Sequence, residues 1–404
     1  MIIFSKALAD KATVWEALRA SQDSCQPIPT ELLRFSAENR PVVMWNLTRN
    51  CNLHCNHCYM DATTSKEEEM SLEDGIRLID DLAELKVPVL ILTGGEPLMS
   101  RNFYAYAIHA REMGLRTVIS TNGTLITPEV ARLLKEVDIR YVGVSIDSTD
   151  PARHDRFRGV EGSYIKAMNG LRNAKEVGLR TGLRVTLTRD NWHEIPRLLD
   201  LALDEGIPRF CLYHLVPTGR GAFMVEKDVT PEQRRSVIKL LAEAAMEFKD
   251  RDLEILTTDS PMDGAYLLEL LKDDPERFEH VYKLLQNAGG CSAGVKVANI
   301  DQKGDVHPCH FMPHMLLGNV RDRSFRNIWV DDPAPELLEL RGIRHELKGA
   351  CGDCRYLDLC GGCREKALYF KGDIREADPT CILGVATGDD ERDQKKLAYD
   401  GSSR

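Results

Sequence analysis

Cys51, Cys55 and Cys58 stand in the spacing C-x3-C-x2-C, with Tyr59 directly after the last. Three thiolates in one short loop can hold three irons of a [4Fe–4S] cube and leave the fourth iron without a protein ligand. An open iron can take a small molecule directly, which a fully ligated electron-transfer cluster cannot. The competing chemistry is zinc, which asks for a fourth Cys or His; His54 or His57 could supply one. A second group lies far downstream: Cys291, Cys309, then Cys351-x2-Cys354-x5-Cys360-x2-Cys363, then Cys381. Cys25 and Cys211 fall outside both patterns and read as ordinary buried or surface thiols. In a long chain with clustered spacings, 12 cysteines point to metal rather than disulfides.

Downstream of the first group stands Gly94-Gly95-Glu96-Pro97. Its glycines let the backbone approach a ligand closely, Glu96 offers an acceptor to an ammonium group, and Pro97 fixes the exit of the loop. Alone, the same residues make an ordinary strand-to-helix turn. Taken together, CNLHCNHCY and TGGEP resemble the radical S-adenosylmethionine (SAM) superfamily. The resemblance implies a [4Fe–4S] cluster on Cys51, Cys55 and Cys58 whose open iron chelates the methionine amine and carboxylate of SAM. One electron then cleaves SAM to a 5′-deoxyadenosyl radical. It also implies that Gly94, Gly95, Glu96 and Pro97 contact the SAM amine and that Tyr59 borders the adenine.

Ser120 and Asn122 are placed to meet the ribose or the methionine carboxylate, although Asn122-Gly123 also fits plain turn chemistry. Ser145 and Asp147 end the fourth strand pattern, and His154, Arg156 and Arg158 follow in HDRFRG. A guanidinium there, or Arg184 on the fifth pattern, could pair with the SAM carboxylate or with a substrate acid. It could equally cap a helix or form a surface ion pair.

The downstream cysteines resemble the SPASM extension of radical SAM enzymes, which implies one or two auxiliary [4Fe–4S] clusters. By the family's interleaved ligation, Cys351, Cys354, Cys360 and Cys381 hold a complete cluster, and Cys291, Cys309 and Cys363 hold the other. The second set leaves one position open, or fills it with His310, His307 or an acidic side chain. The last gap is one residue shorter than the family's usual C-x2-C-x5-C-x3-C, which puts the geometry of Cys363 in question. Structural zinc is the alternative here too.

These residues need a frame. Short apolar runs at 42–47, 89–93, 116–120, 141–146, 183–188 and 210–215 alternate with amphipathic patterns at 72–85, 103–113, 128–137, 163–177 and 195–205. Six such alternations predict a parallel sheet of an α/β protein, with chemistry at the carboxyl ends of its strands. Periodicity alone permits a doubly wound sheet; the resemblance implies a partial (β/α)6 TIM-like barrel. The expected organisation is a helical lead-in over 1–40, the barrel over 41–222, and a charged helical bridge over 223–288. A SPASM-like domain over 289–383 and a disordered tail over 384–404 complete it.

The chain has 404 residues and a formal net charge of −10, from 53 basic and 63 acidic side chains. That balance gives no electrostatic footprint for nucleic acid. No run approaches the roughly 18 apolar residues of a membrane helix. The first twenty residues carry Asp10 and Glu16 and lack a continuous apolar core, so no secretory signal is expected. A cytoplasmic protein is the resulting expectation.

Two stretches narrow the reaction. YHLVPTGRG at 213–221 and GDVHPCHFMP at 304–313 are similar to the enzymes that trim tetrapyrrole side chains on the routes to heme and heme d1. The resemblance implies removal of the two acetate groups of 12,18-didecarboxysiroheme, leaving methyl groups. It implies a macrocyclic substrate with rim carboxylates, and an electron donor such as flavodoxin or ferredoxin. His214 and Arg220 are the candidate substrate contacts. Alternatives are a decarboxylase of Fe-coproporphyrin propionates, a peptide-modifying SPASM maturase, and a non-catalytic iron–sulfur electron carrier. Residues 1–40 are short for the leader-binding domain many peptide maturases carry, and a carrier has no use for GGEP and Asn122.

Overall fold

The computed structural model describes residues 1–9, 40–64 and 68–383. Most of the expected lead-in, Cys25 and the expected tail lie outside the described residues. After the short β1 (Ile2–Ile3) come β2 (Val42–Asn46), β3 (Leu90–Thr93), β4 (Thr117–Thr121), β5 (Val142–Ser145), β6 (Thr181–Leu187) and β7 (Arg209–His214). Each of the last six falls within two residues of an expected run. They pair in parallel, each with the next. The alternating helices also form where the apolar spacing puts them: Leu72–Glu84, Phe103–Glu112, Pro128–Glu136, Ser163–Glu176 and Ile195–Asp204.

Local chemistry fixes several of their ends. Ser71 and Thr127 accept from the backbone N–H groups of Asp74 and Val130, which would otherwise lack a partner in the first helical turn. Asp150 does the same for the helix Pro151–Arg158, which stops at Gly159. Strands β2 to β7 are flanked by a continuous core that includes Val43, Trp45, Leu92, Ile119, Val144, Leu183 and Phe210.

The sheet does not end at β7. Strand β8 (Glu254–Thr258) lies inside the stretch expected to be a helical bridge, and it pairs in parallel with β7. β1 closes that edge in antiparallel pairing. At the other edge β9 (Val297–Ile300), from the cysteine-rich part, pairs in parallel with β2. β10 (Asp305–His307) and β11 (Gly318–Asn319) extend it in antiparallel pairing. The result is one 11-stranded sheet in the order β1-β8-β7-β6-β5-β4-β3-β2-β9-β10-β11. The six expected units form an open, partial barrel, and both later segments are stitched onto its edges by backbone hydrogen bonds. No helix among the described residues is long and apolar enough to cross a membrane.

Candidate active site

A cavity of about 150 Å³ opens at the carboxyl ends of the barrel strands, lined by Cys51, Cys55 and Cys58 together with Tyr59, Gly94, Gly95, Ser120, Asn122 and Ser145. The cysteine loop leaves β2 and is held from several sides. The N–H groups of Gly95 and Glu96 donate to Thr48 O at 2.7 Å and Asn50 O at 2.9 Å. A Cβ on Gly94 would lie 2.5 Å from Thr48 O, and one on Gly95 2.5 Å from Asn50 O; Gly94 also has φ +138°. The turn can press against the loop only because it carries no side chains.

Glu96 departs from expectation. It is fully buried and absent from the cavity wall. Its carboxylate accepts from Thr121 Oγ1 at 2.8 Å, Asn122 N at 2.9 Å and Leu98 N at 3.2 Å. Burial pushes its carboxyl up to about 7, against the pull of those hydrogen bonds. Glu96 therefore ties the glycine turn to the Thr121-Asn122 turn, and it does not line the cavity. Pro97 is likewise buried off the cavity, at the start of the 3₁₀ turn Pro97–Met99.

The thiols have prepared surroundings. Leu53 N and Ala62 N approach the Sγ atoms of Cys51 and Cys58 at 3.4 and 3.3 Å. Arg158 Nη1 lies 3.6 Å from Cys55 Sγ, and its Nη2 lies 2.5 Å from Asp147 Oδ2. Burial pushes the Asp147 carboxyl upward, but the Arg158 guanidinium, His57, His154 and the Thr186 N–H together outweigh it and hold the carboxyl below its ordinary range. Burial also lifts the Cys51 thiol to about 12. A thiol so protonated becomes a ligand only against a strong positive centre, which iron supplies. Among the described residues no group of three or more His, Cys, Asp or Glu side chains stands in the arrangement of ligands around one metal ion. Three thiols lining one cavity suit the three protein-held irons of a cube.

A second cavity, of about 250 Å³, is lined by Cys351, Cys354, Cys360 and Cys381. These four come from one short helix, two turns and the segment after the last helix, and all face the same space. Backbone N–H groups of Tyr356, Gly362 and Asp378 approach Cys354, Cys360 and Cys351 at 3.3–3.4 Å. Gly361 and Gly362, with φ +65° and +63°, turn the chain between Cys360 and Cys363. The shortened gap thus still sends the two thiols to different places. Cys363 is an electrostatic neighbour of Cys291, as is Cys309. His310 Nδ1 stands 3.7 Å from Cys309 Sγ, whereas His307 Nδ1 is 3.1 Å from Met315 O.

A model of the radical SAM superfamily matches residues 45–202, and one of an iron–sulfur cluster-binding domain, the SPASM domain, matches residues 291–355. Fe-coproporphyrin III synthase of Methanosarcina barkeri is 42% identical over 95% of this chain and 98% of its own length. This chain belongs to the radical SAM/SPASM family of tetrapyrrole-modifying enzymes. Pre-heme d1 synthase of Dinoroseobacter shibae is 39% identical over 89% of this chain and 90% of its own. Streptococcus suis SuiB, in complex with its precursor peptide, shares the fold. Its TM-score is 0.70 at 20% identity, covering 90% of this chain and 83% of that one. As a radical SAM/SPASM enzyme the chain uses a [4Fe–4S] cluster, SAM and auxiliary clusters.

The remaining candidates of this radical SAM/SPASM chain separate by their commitments. Arg156 is exposed and off the cavity. Arg220 lines the cavity, but its guanidinium is spent on the cysteine loop. Nε donates to Cys55 O at 2.9 Å, and Nη1 donates to Asp61 Oδ1 at 2.7 Å and Ala62 O at 2.8 Å. The expectation that Arg220 receives substrate is corrected accordingly. Arg184 lines the same cavity, with its guanidinium carbon 4.5 Å from the centre of the Tyr213 ring and its Nε buried without a hydrogen-bond partner. Of the cavity-lining arginines among the described residues, it is the one without a carboxylate. His214 Nε2 is 2.7 Å from Asp263 Oδ2, and both side chains are fully buried. Asp263 could not be found from sequence, since nothing local marks a residue 49 positions away as a partner of His214. Cys211 is buried on β7 away from both thiol groups, and burial lifts it to about 11.

Proposed function

We propose that the enzyme removes the two acetate side chains of 12,18-didecarboxysiroheme and leaves methyl groups, giving Fe-coproporphyrin III. In this reading Cys51, Cys55 and Cys58 hold the SAM-binding cluster. Ser120, Asn122, Ser145, Tyr59 and the Gly94-Gly95 backbone receive SAM. Cys351, Cys354, Cys360 and Cys381 hold one auxiliary cluster, and Cys291, Cys309 and Cys363 hold a second. Bound cluster and SAM supply a 5′-deoxyadenosyl radical, which takes hydrogen from unactivated carbon. The protein's own task is to place the substrate carbon and exclude water.

The observation that carries the reading is Arg184. A buried guanidinium that lines a cavity without an ion pair can receive an acid from outside, and among the described residues Asp259 is its one carboxyl neighbour on that wall. Around it stand Tyr213, Tyr59, His310 and Phe311 on the same wall, with Tyr59 edge-on to His310 at 5.1 Å. Aromatic faces beside an unpaired cation suit a flat macrocycle with carboxylates at its rim. The product named for the Methanosarcina barkeri relative is the one this reaction makes. The electron comes from a small carrier such as flavodoxin or ferredoxin.

The test is direct. Anaerobically reconstituted, reduced protein is incubated with SAM and 12,18-didecarboxysiroheme, and product masses are read. Two acetate-to-methyl losses support the reading. Conversion of Fe-coproporphyrin III instead, with loss of carbon dioxide from its propionates, would replace it with the decarboxylase reading.

A further inference from the structure

Asp259 directly follows β8, the strand that composition hides. It adopts φ +67°, a left-handed backbone that non-glycine residues seldom take and that Asp and Asn tolerate best. Such local strain concentrates where a side chain must be aimed. Here that place is the cavity, whose wall includes both Asp259 and His214. Oδ1 accepts from Thr258 Oγ1 at 3.0 Å, and Oδ2 is buried without a hydrogen-bond partner. The Met1 amino terminus, Lys366, Arg184, Cys211, Tyr213 and Cys309 are its charged or titratable neighbours, and the three cations among them favour its carboxylate. Burial raises the Asp259 carboxyl to about 6, against the pull of Thr258, the Met1 amino terminus, Lys366 and Arg184; the carboxylate is the major form near neutrality, and the group exchanges its proton readily there.

His214 completes the wall. Asp263 takes its Nε2 side, and Asp263 is itself fixed by Ser260 Oγ at 2.7 Å. That leaves His214 Nδ1 buried and unpartnered. Two residues of one cavity wall, Asp259 and His214, thus each carry a buried polar atom without a hydrogen-bond partner, Oδ2 and Nδ1. Neither is used in holding the cysteine loop.

Resting on the acetate-removal reading, we propose that Asp259 donates the proton that completes the departing two-carbon acid, with His214, held by Asp263, positioning it. The balance is as follows. Loss of a hydrogen atom from the ring carbon beside the acetate-bearing carbon leaves a carbon radical. The ring C–CH2 bond then breaks, a ring double bond forms, and a carboxymethyl radical departs. One electron from a low-potential iron–sulfur donor and one proton from Asp259 convert it to acetate. Asp259 is left as a carboxylate and regains its proton from solvent. The competing route returns a hydrogen atom from 5′-deoxyadenosine and needs neither electron nor acid.

Turnover of 12,18-didecarboxysiroheme in D2O separates these routes. The proposal expects acetate carrying one deuterium in its methyl group. Acetate without deuterium overturns it while leaving the substrate reading intact; absence of acetate altogether overturns both. Asp259→Asn keeps the shape and the tolerated backbone, and should lower acetate released per 5′-deoxyadenosine about hundred-fold, the scale of a lost general acid. Asp259→Glu should restore part of that ratio, which a merely structural role would not do. An unchanged ratio in Asp259→Asn overturns the assignment.

Discussion

The two cysteine-lined cavities differ in what faces the thiols. The C-terminal one presents Cys351, Cys354, Cys360 and Cys381, with Arg364 Nη2 3.9 Å from Cys351 Sγ. Four thiols saturate a cube, and such a centre moves electrons. The barrel cavity presents three thiols, and its wall also includes Arg184, which forms no ion pair among the described residues, and Asp259 and His214, each with a buried polar atom lacking a partner. The difference teaches that thiol count and the polar atoms left over must be read together. A missing ligand beside unused polar groups suits a reaction site and a full set of four thiols suits a relay, while backbone N–H groups reach thiols in both cavities and do not tell them apart.

The comparison breaks most completely at the barrel cysteines. Replacing Cys51, Cys55 and Cys58 together with Ala should abolish 5′-deoxyadenosine formation and remove about four irons per chain, leaving iron in the C-terminal part. Next in size is Arg158→Ala. It strands Asp147 as a buried, unpaired charge, at a cost of about 3–5 kcal/mol, readable as a lowered Tm. The folded pKa of Asp147 is depressed, so this pair's contribution is present above the ordinary carboxyl range and lost as pH falls through the folded value. The variant should accordingly show a flatter acid limb of stability than the wild type.

How far the sequence carried the account depends on how local each feature is. The six barrel strands were legible because buried parallel strands are short apolar runs between amphipathic stretches. β8 was not. Its sequence EILTT begins on a charge and ends on two hydroxyls, and Glu254 meets Arg209 across the strand pair, with Nε to Oε2 at 2.6 Å. β9 was hidden for another reason, since VANI gains its partner β2 from the far end of the chain. The three-cysteine loop stood out by its spacing, whereas the division of the later cysteines into two sets came from the family resemblance. The commitments of Arg220 and Glu96 were not, because their partners are set by tertiary approach: Arg220 reaches back across 165 positions to Cys55 O.

Smaller effects sharpen the contrast between arginines in the barrel cavity. Arg184→Ala should weaken binding of a carboxylated tetrapyrrole ten- to hundred-fold, about 1.5–3 kcal/mol for one charge-assisted contact, as measured by equilibrium titration. Arg220→Ala should cost about 1–2 kcal/mol of stability through its lost carbonyl contacts. Its ion pair with the exposed Asp61 adds little. Tetrapyrrole affinity should change less in Arg220→Ala than in Arg184→Ala; the opposite order would return Arg220 to the substrate site.

The central claim is that the open, SAM-binding centre sits on the three-cysteine loop and nowhere else. Electron paramagnetic resonance of the reduced protein, with and without SAM, tests it most directly. The wild type should show one cluster signal that changes on adding SAM, and the Cys51, Cys55 and Cys58 triple variant should keep its other signals and lose that one. A SAM-dependent change that persists in the triple variant would place the open iron among the C-terminal cysteines and contradict the account.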